Sequence, residues 1–324
     1  MVEPIKVAKR PDSHNSDDQF IPTDFKMWLI TYLAYLRLKI MALILRILVR
    51  LVEGTFTFNP DAIHNLPSRD PRRNIKVHIY KPLQKKDPGP GPVLINFHGS
   101  GFVIPAHGSD DAFCREISQR TDYTVLDVQY RLSPENPFPA AVHDVEDVIK
   151  WVLQQPATYD LTRVAVSGFS AGGNLALVAA STLFPKDTFH SVITFYPSTE
   201  GHNDPATLVA PEAGGRTIPV STMRLFARCY VQAEVDRRDP RLLPAFADPA
   251  RFPKNVLVIT AGYDLLADEG ERLATQLKKD PERNVVYQRM PRCNHNFDKK
   301  AVPGTREWEL KTVAYDLAVE MLQL

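Results

Sequence analysis

Residues 164–181 read "VAVSGFSAGGNLALVAAS" and change character half-way. The first part, with β-branched Val164 and Val166, suits a short strand; the Ala- and Leu-rich end suits a helix. At the joint stands one hydroxyl, Ser170, with Gly168 two residues before it and Gly172 two residues after. Gly168-Phe169-Ser170-Ala171-Gly172 fits G-x-S-x-G, a turn so tight that side chains at the two outer positions would collide. It leaves the hydroxyl above the sheet edge, at a helix start whose N–H groups favour negative charge. The pentapeptide alone also suits a plain glycine turn with Ser170 as a helix cap. The strand before it and the helix after it favour a nucleophile.

Outward from this joint the same alternation recurs. Strands are expected at 55–58, 75–80, 93–97, 123–128, 163–167, 191–196, 255–260 and 284–288, and helices at 109–120, 139–154, 171–183, 267–279 and 306–323. After the second strand the order alternates, which predicts an α/β fold: a mostly parallel eight-stranded sheet flanked by helices. The connection from 196 to 255 is far longer than a crossover needs, and an inserted cap over about 198–253 is expected there.

A serine needs a base to take its proton and a third group to orient that base. Elbows of this kind carry the order serine, acid, histidine. Asp264 in "AGYDLLADEG" stands just past a strand, whereas Asp268 and Glu269 fall where a helix begins and acids are expected structurally. His190 and His202 precede the acid; His295, in "MPRCNHNF", follows it and the last strand. Ser170, Asp264 and His295 are therefore the expected triad. "NFHGSGF" after the third strand supplies a loop of small residues, His98-Gly99-Ser100-Gly101, at the place where N–H donors for an oxyanion are needed.

These blocks together resemble the hormone-sensitive-lipase-like esterases of the α/β-hydrolase superfamily, over about residues 75–322. "YRLSPENPFPAAVHDVEDVIKWV" (130–152) is similar to that family's Tyr-Arg-Leu-Ala-Pro-Glu block, and "DPRLLPAFA" (239–247) and "AGYDLLADEG" (261–270) resemble its later ones. The resemblance implies an α/β-hydrolase fold with a helical cap, the triad above, and an oxyanion hole of Gly99, Ser100 and Ala171 N–H groups. Two departures stand out. Ser100 replaces the family's middle glycine, and Gln129 replaces the acid often found before Tyr130-Arg131. If the Ser100 side chain only occupies space, Ser100→Gly should leave kcat within about tenfold.

The remaining features bound the function. The chain has 324 residues with 39 Lys+Arg against 38 Asp+Glu, so no global field recruits nucleic acid. Three scattered cysteines make no disulfide framework and suggest a reducing, cytoplasmic setting. No HExxH or clustered Cys/His spacing and no phosphate-cradling glycine motif occurs, so neither a metal nor a cofactor is expected. No signal-like stretch opens the chain.

Residues 25–52 carry five positive charges and no acid, with too short an uncharged run to span a bilayer. Lys39, Arg46 and Arg50 share one helical face opposite a broad apolar one. Residues 1–54 are thus expected as a lid over the catalytic domain (55–324), with membrane-surface contact as the alternative. A small ester is the expected partner, and a homodimer is left open. Two rival functions were weighed: a triad enzyme performing lactone hydrolysis, acyl transfer or cyclisation in secondary metabolism, and a non-catalytic small-molecule binding module.

Overall fold

The structure, a computed structural model, describes residues 23–83, 89–201 and 204–324; the expectations for 1–22 and for His202 lie outside the described residues. The chain divides into residues 1–37 and 38–324. The described part of the first is the start of one long helix, α1 (Thr23–Glu53), which runs on into the second.

Residues 38–324 contain an eight-stranded sheet. Its strands are β1 (Ala62–Pro67), β2 (Asn74–Tyr80), β3 (Gly91–Phe97), β4 (Thr124–Val128), β5 (Tyr159–Phe169), β6 (Ser191–Phe195), β7 (Asn255–Ala261) and β8 (Asn284–Met290). They lie in the order β1-β2-β4-β3-β5-β6-β7-β8. β1 and β2 pair antiparallel, as do β2 and β4, and every later pair is parallel. This is the α/β-hydrolase fold. One expected strand is displaced: residues 55–58 are not a strand, and the edge is β1, seven residues further on. "TFTF" has the β-branched and aromatic composition of a strand, but pairing with β2 is made by 62–67, which the sequence pattern did not mark.

The central strands are buried on both faces, because helices cover both. On one side Val93, Ile95 and Phe97 of β3 share an apolar layer with α3 (Ala140–Leu153), α4 (Ala171–Val178) and α6 (Ala267–Leu277). On the other, Leu94 meets α2 (Asp111–Arg120) and α7 (Arg306–Leu322). The period-2 alternation along β3 is thus divided between two apolar layers. Parallel strands in this arrangement bring the loops after β3, β5, β7 and β8 to one sheet edge, where ligands bind in open α/β sheets. The long connection between β6 and β7 holds one helix the sequence did not mark, α5 (Val220–Tyr230), and three short 3₁₀ turns.

α1 meets the rest of residues 38–324 with the side of the helix that carries Leu38, Ala42 and Leu45, which pack on Val103 and on Leu225 and Cys229 of α5. Arg46, on the same side, donates to the carbonyls of Val103 (2.9 Å) and Ser133 (2.7 Å) and pairs with Glu135 at 2.8 Å. The basic side of the helix is therefore turned inward at Arg46.

Candidate active site

At the end of β5 the chain turns through Ser170, whose φ of 53° and ψ of −117° put it in a backbone conformation unusual for a residue with a side chain. The two flanking glycines have their reason in the surroundings. A Cβ on Gly168 would stand 2.2 Å from the Gly172 carbonyl oxygen, and one on Gly172 would stand 1.9 Å from that of Phe97. Both obstacles are backbone and cannot move aside. Ser170 accepts no capping bond with its side chain, so the helix-cap reading of the hydroxyl fails.

Ser170 Oγ lies 2.9 Å from His295 Nε2, and His295 Nδ1 lies 2.7 Å from Asp264 Oδ2. Residues from three loops, up to 125 positions apart, meet in the expected order. With a carboxylate on Nδ1, that nitrogen carries the ring proton, and Nε2 is left to accept from the serine hydroxyl. The loops are tied together, since Tyr263 N–H donates to the Cys293 carbonyl at 2.8 Å and Gly262 N–H to that of Met290 at 2.9 Å. His190 stands before β6, at the other end of the sheet. Glu269 is buried in α6, accepts the Thr199 N–H at 2.7 Å, and is raised to about 7 by its burial.

Among the described residues nothing accepts a hydrogen bond from the N–H of Gly99, Ser100 or Gly101. Ala171 opens α4, so its N–H has no partner within the helix. Gly101 was not among the donors expected from the sequence, yet it lines the cavity at Ser170 together with Phe102 and Ala171. Its φ of 55°, and a Phe226 ring that would lie 2.4 Å from any Cβ, both demand glycine. The signal was present as the third small residue of the block.

Known proteins agree with this geometry. A family model described as the alpha/beta hydrolase fold matches residues 94–299. An ethyl acetate hydrolase of Pseudomonas putida is 30% identical over 247 residues, 74% of this chain and 76% of its own length. Esterase LipI of Mycobacterium tuberculosis is 34% identical over 62% of this chain, a match spanning 64% of that protein's own length. The chain belongs to the hormone-sensitive-lipase-like esterases of the α/β-hydrolase superfamily. Among solved structures, EstE1, a thermophilic carboxylesterase cloned from a metagenomic library, superposes with a TM-score of 0.72 at 28% identity, covering 89% of this chain and 98% of its own.

This esterase departs from its family at Ser100, and the side chain there does more than occupy space. Tyr130 Oη donates its one proton to the His98 carbonyl at 2.6 Å. The 2.7 Å contact between Ser100 Oγ and Tyr130 Oη must then be donated by the serine. The same Oγ accepts the Phe102 N–H at 2.8 Å. Phe102 itself has a left-handed φ of 60°, which costs free energy in a bulky residue. The hydroxyl thus ties both sides of the oxyanion loop to a buried tyrosine that stacks on His98 at 4.4 Å.

The histidine loop of the esterase has its own buried anchor, which no short motif announces. Tyr196 and Tyr315 donate to the two oxygens of Asp298 at 2.6 and 2.9 Å. Lys299 pairs with Asp298 (2.8 Å) and with Asp110 (2.9 Å), and the Lys299 charge, helped by the two tyrosine hydroxyls, holds the Asp298 carboxyl below its usual range despite burial. The Tyr196 ring lies 4.6 Å from that of His295.

One further cluster has ligand-type atoms. His78, His107 and Asp127 bring one each within 4.8 Å of one another. The two imidazoles are stacked, 4.0 Å between centroids and tilted by 32°, so they lie face to face and do not converge on a common point. His107 Nε2 is already engaged with the Asp127 carbonyl at 3.0 Å. Metal-ligand geometry, in which both rings aim a nitrogen at one ion, is not met.

Proposed function

We propose that this esterase hydrolyses small to medium apolar carboxylic esters through an acyl-enzyme on Ser170. The observation that carries the reading is the hydrogen-bonded order Ser170–His295–Asp264 at the floor of a cavity of about 440 Å³, walled largely by apolar side chains such as Phe102, Phe226, Leu208 and Leu243. His295 Nε2 takes the hydroxyl proton as Oγ attacks the ester carbonyl. The charge that develops on the carbonyl oxygen meets the N–H groups of Ser100, Gly101 and Ala171, with Gly99 beside them. Each such donor is worth about 3 kcal/mol of barrier in other hydrolases. His295 then passes its proton to the departing alcohol. A water repeats the sequence on the acyl-enzyme and releases the acid.

The segment between β6 and β7 is read as a cap that shapes the acyl pocket, because Met223, Ala227 and Tyr230 of α5 line the cavity. Residues 38–52 are read as a surface-contact segment that does not form the pocket's roof: none of them lines the cavity, and Ile40, Ile44, Ile47, Leu48 and Leu51 are exposed. Three buried free cysteines support a reducing compartment.

The test is a rate series over p-nitrophenyl esters of rising acyl length, with Ser170→Ala beside wild type. Activity should peak at short to medium chains and fall by roughly 10⁴-fold or more in Ser170→Ala. His295→Ala should cost about as much, and the double variant no more than either. More than a tenth of wild-type activity in clean Ser170→Ala would end the serine mechanism.

A further inference from the structure

We propose that the outward face of α1 docks the esterase on an anionic membrane surface. The inner side of the helix is committed: Leu38, Ala42 and Leu45 pack on Val103, Leu225 and Cys229, and Arg46 is clamped by two carbonyls and Glu135. The same turns present the opposite side to solvent. Ile40, Ile44, Ile47, Leu48 and Leu51 recur at three- and four-residue spacing and form one continuous aliphatic stripe, with Ile44 51% and Leu51 76% exposed. Isolated exposed leucines need no explanation, whereas an unbroken stripe along several helical turns marks a docking surface.

Charge selects the occupant. Between 25 and 52 the sequence has five basic residues and no acid; Arg46 is paired inward with Glu135, which leaves four, and Glu53, the first acid after them, is paired with Lys300 at 2.7 Å. Two copies meeting through this face would set like charges against each other, whereas a bilayer rich in anionic lipid attracts them. Arg50 is exposed at the edge of the stripe, and Arg37 stands one turn before Ile40 and Met41 in the sequence. Among the described residues no helix is long and apolar enough to cross a membrane. The helix therefore lies in the interface, its aliphatic side in the acyl boundary and its inner side on the enzyme.

The experiment is cosedimentation of the full chain with vesicles of phosphatidylcholine alone and of phosphatidylcholine with about 30% phosphatidylglycerol. Wild type should bind the anionic vesicles about tenfold more strongly, and high salt should release it only in part, because screening removes the charge attraction and leaves the apolar contact. Ile44→Glu with Leu48→Glu should abolish binding while leaving the rate on a soluble ester unchanged, which also shows that the variant is folded. Equal binding to both vesicles would overturn the anionic surface. Absence of vesicle binding together with a dimer that the double variant dissociates would make the occupant a second copy. Binding gained only after deletion of residues 1–22 would mean that this segment covers the face. Loss of ester hydrolysis with vesicle binding intact would sink the proposed activity and leave docking standing.

Discussion

Around the turn at Ser170 the neighbours of the chain are other backbone atoms. Around α1 the enzyme occupies one side and solvent the other. In the first region a position is dictated by what would collide: a Cβ 1.9 Å from a carbonyl oxygen admits glycine only. In the second, several side chains would serve at each position, and what decides the arrangement is one half-buried guanidinium. Arg46 satisfies the carbonyls of Val103 and Ser133, and turning the aliphatic side inward would withdraw it from them. A steric rule is legible locally; a choice between two faces of one helix is settled by what the other side of the contact offers.

Four sets of substitutions would break or sharpen this comparison. Gly172→Ala should have the largest effect. With backbone on every side there is no relaxation, and soluble folded protein should be lost, as read by circular dichroism and gel filtration. Gly99→Ala, whose Cβ would meet the Phe169 carbonyl at 3.3 Å, should still fold. If Gly172→Ala folds and turns over ester normally, the steric account of the elbow is wrong.

Next comes Ser100, part steric and part hydrogen-bonded. Loss of its hydroxyl in Ser100→Ala should lower kcat by about fivefold with KM little changed, since a net contribution of about 1 kcal/mol holds the loop proposed to meet the charged intermediate. Ser100→Gly should fall at least as far, because it also frees the backbone. Tyr130→Phe should act in the same direction. An unchanged kcat in both Ser100 variants would return the side chain to the space-filling role suggested by its family position.

On α1 the contrast is between its two sides. Arg46→Met leaves two carbonyls and Glu135 without their partner and should destabilise by about 2 kcal/mol in urea unfolding. Ile44→Ser, two residues away on the outward side, should stay within about 0.5 kcal/mol of wild type. Equal effects would mean that the outward side is covered in solution.

The smallest effect is a slope. Burial holds the His78 imidazole down to about 4, and both its ring nitrogens lack a partner. Above the ordinary histidine value of about 6.5 neither folded nor unfolded chain binds this proton. As pH falls from there toward about 4, the unfolded chain takes it up and the folded one does not, so stability drops by about 1.4 kcal/mol per pH unit. Below about 4 the folded chain binds it too and the slope ends. His107, pushed down to about 2 mainly by burial, adds a second such proton. His78→Phe, which keeps the stack with Phe58 and His107, should remove one proton from the acid limb of a stability-against-pH curve. An unchanged slope would show that His78 titrates normally.

Much of this enzyme can be read from short stretches. The elbow glycines, the order of Ser170, Asp264 and His295, and the alternation that makes the sheet all rest on local sterics or on periodicity within one element. Other features needed residues far apart in the chain. The displaced edge strand depends on which segment pairs with β2. The need for glycine at 101 depends on where Phe226 of α5 sits. The Ser100–Tyr130 bond joins positions 30 apart, and Tyr196–Asp298 joins positions 102 apart. For α1 the sequence determined an amphipathic helix with a basic and an apolar side. Only the tertiary structure decided which side faces the enzyme, because the free energy of that choice resides in carbonyls and apolar groups that the rest of the fold delivers to it.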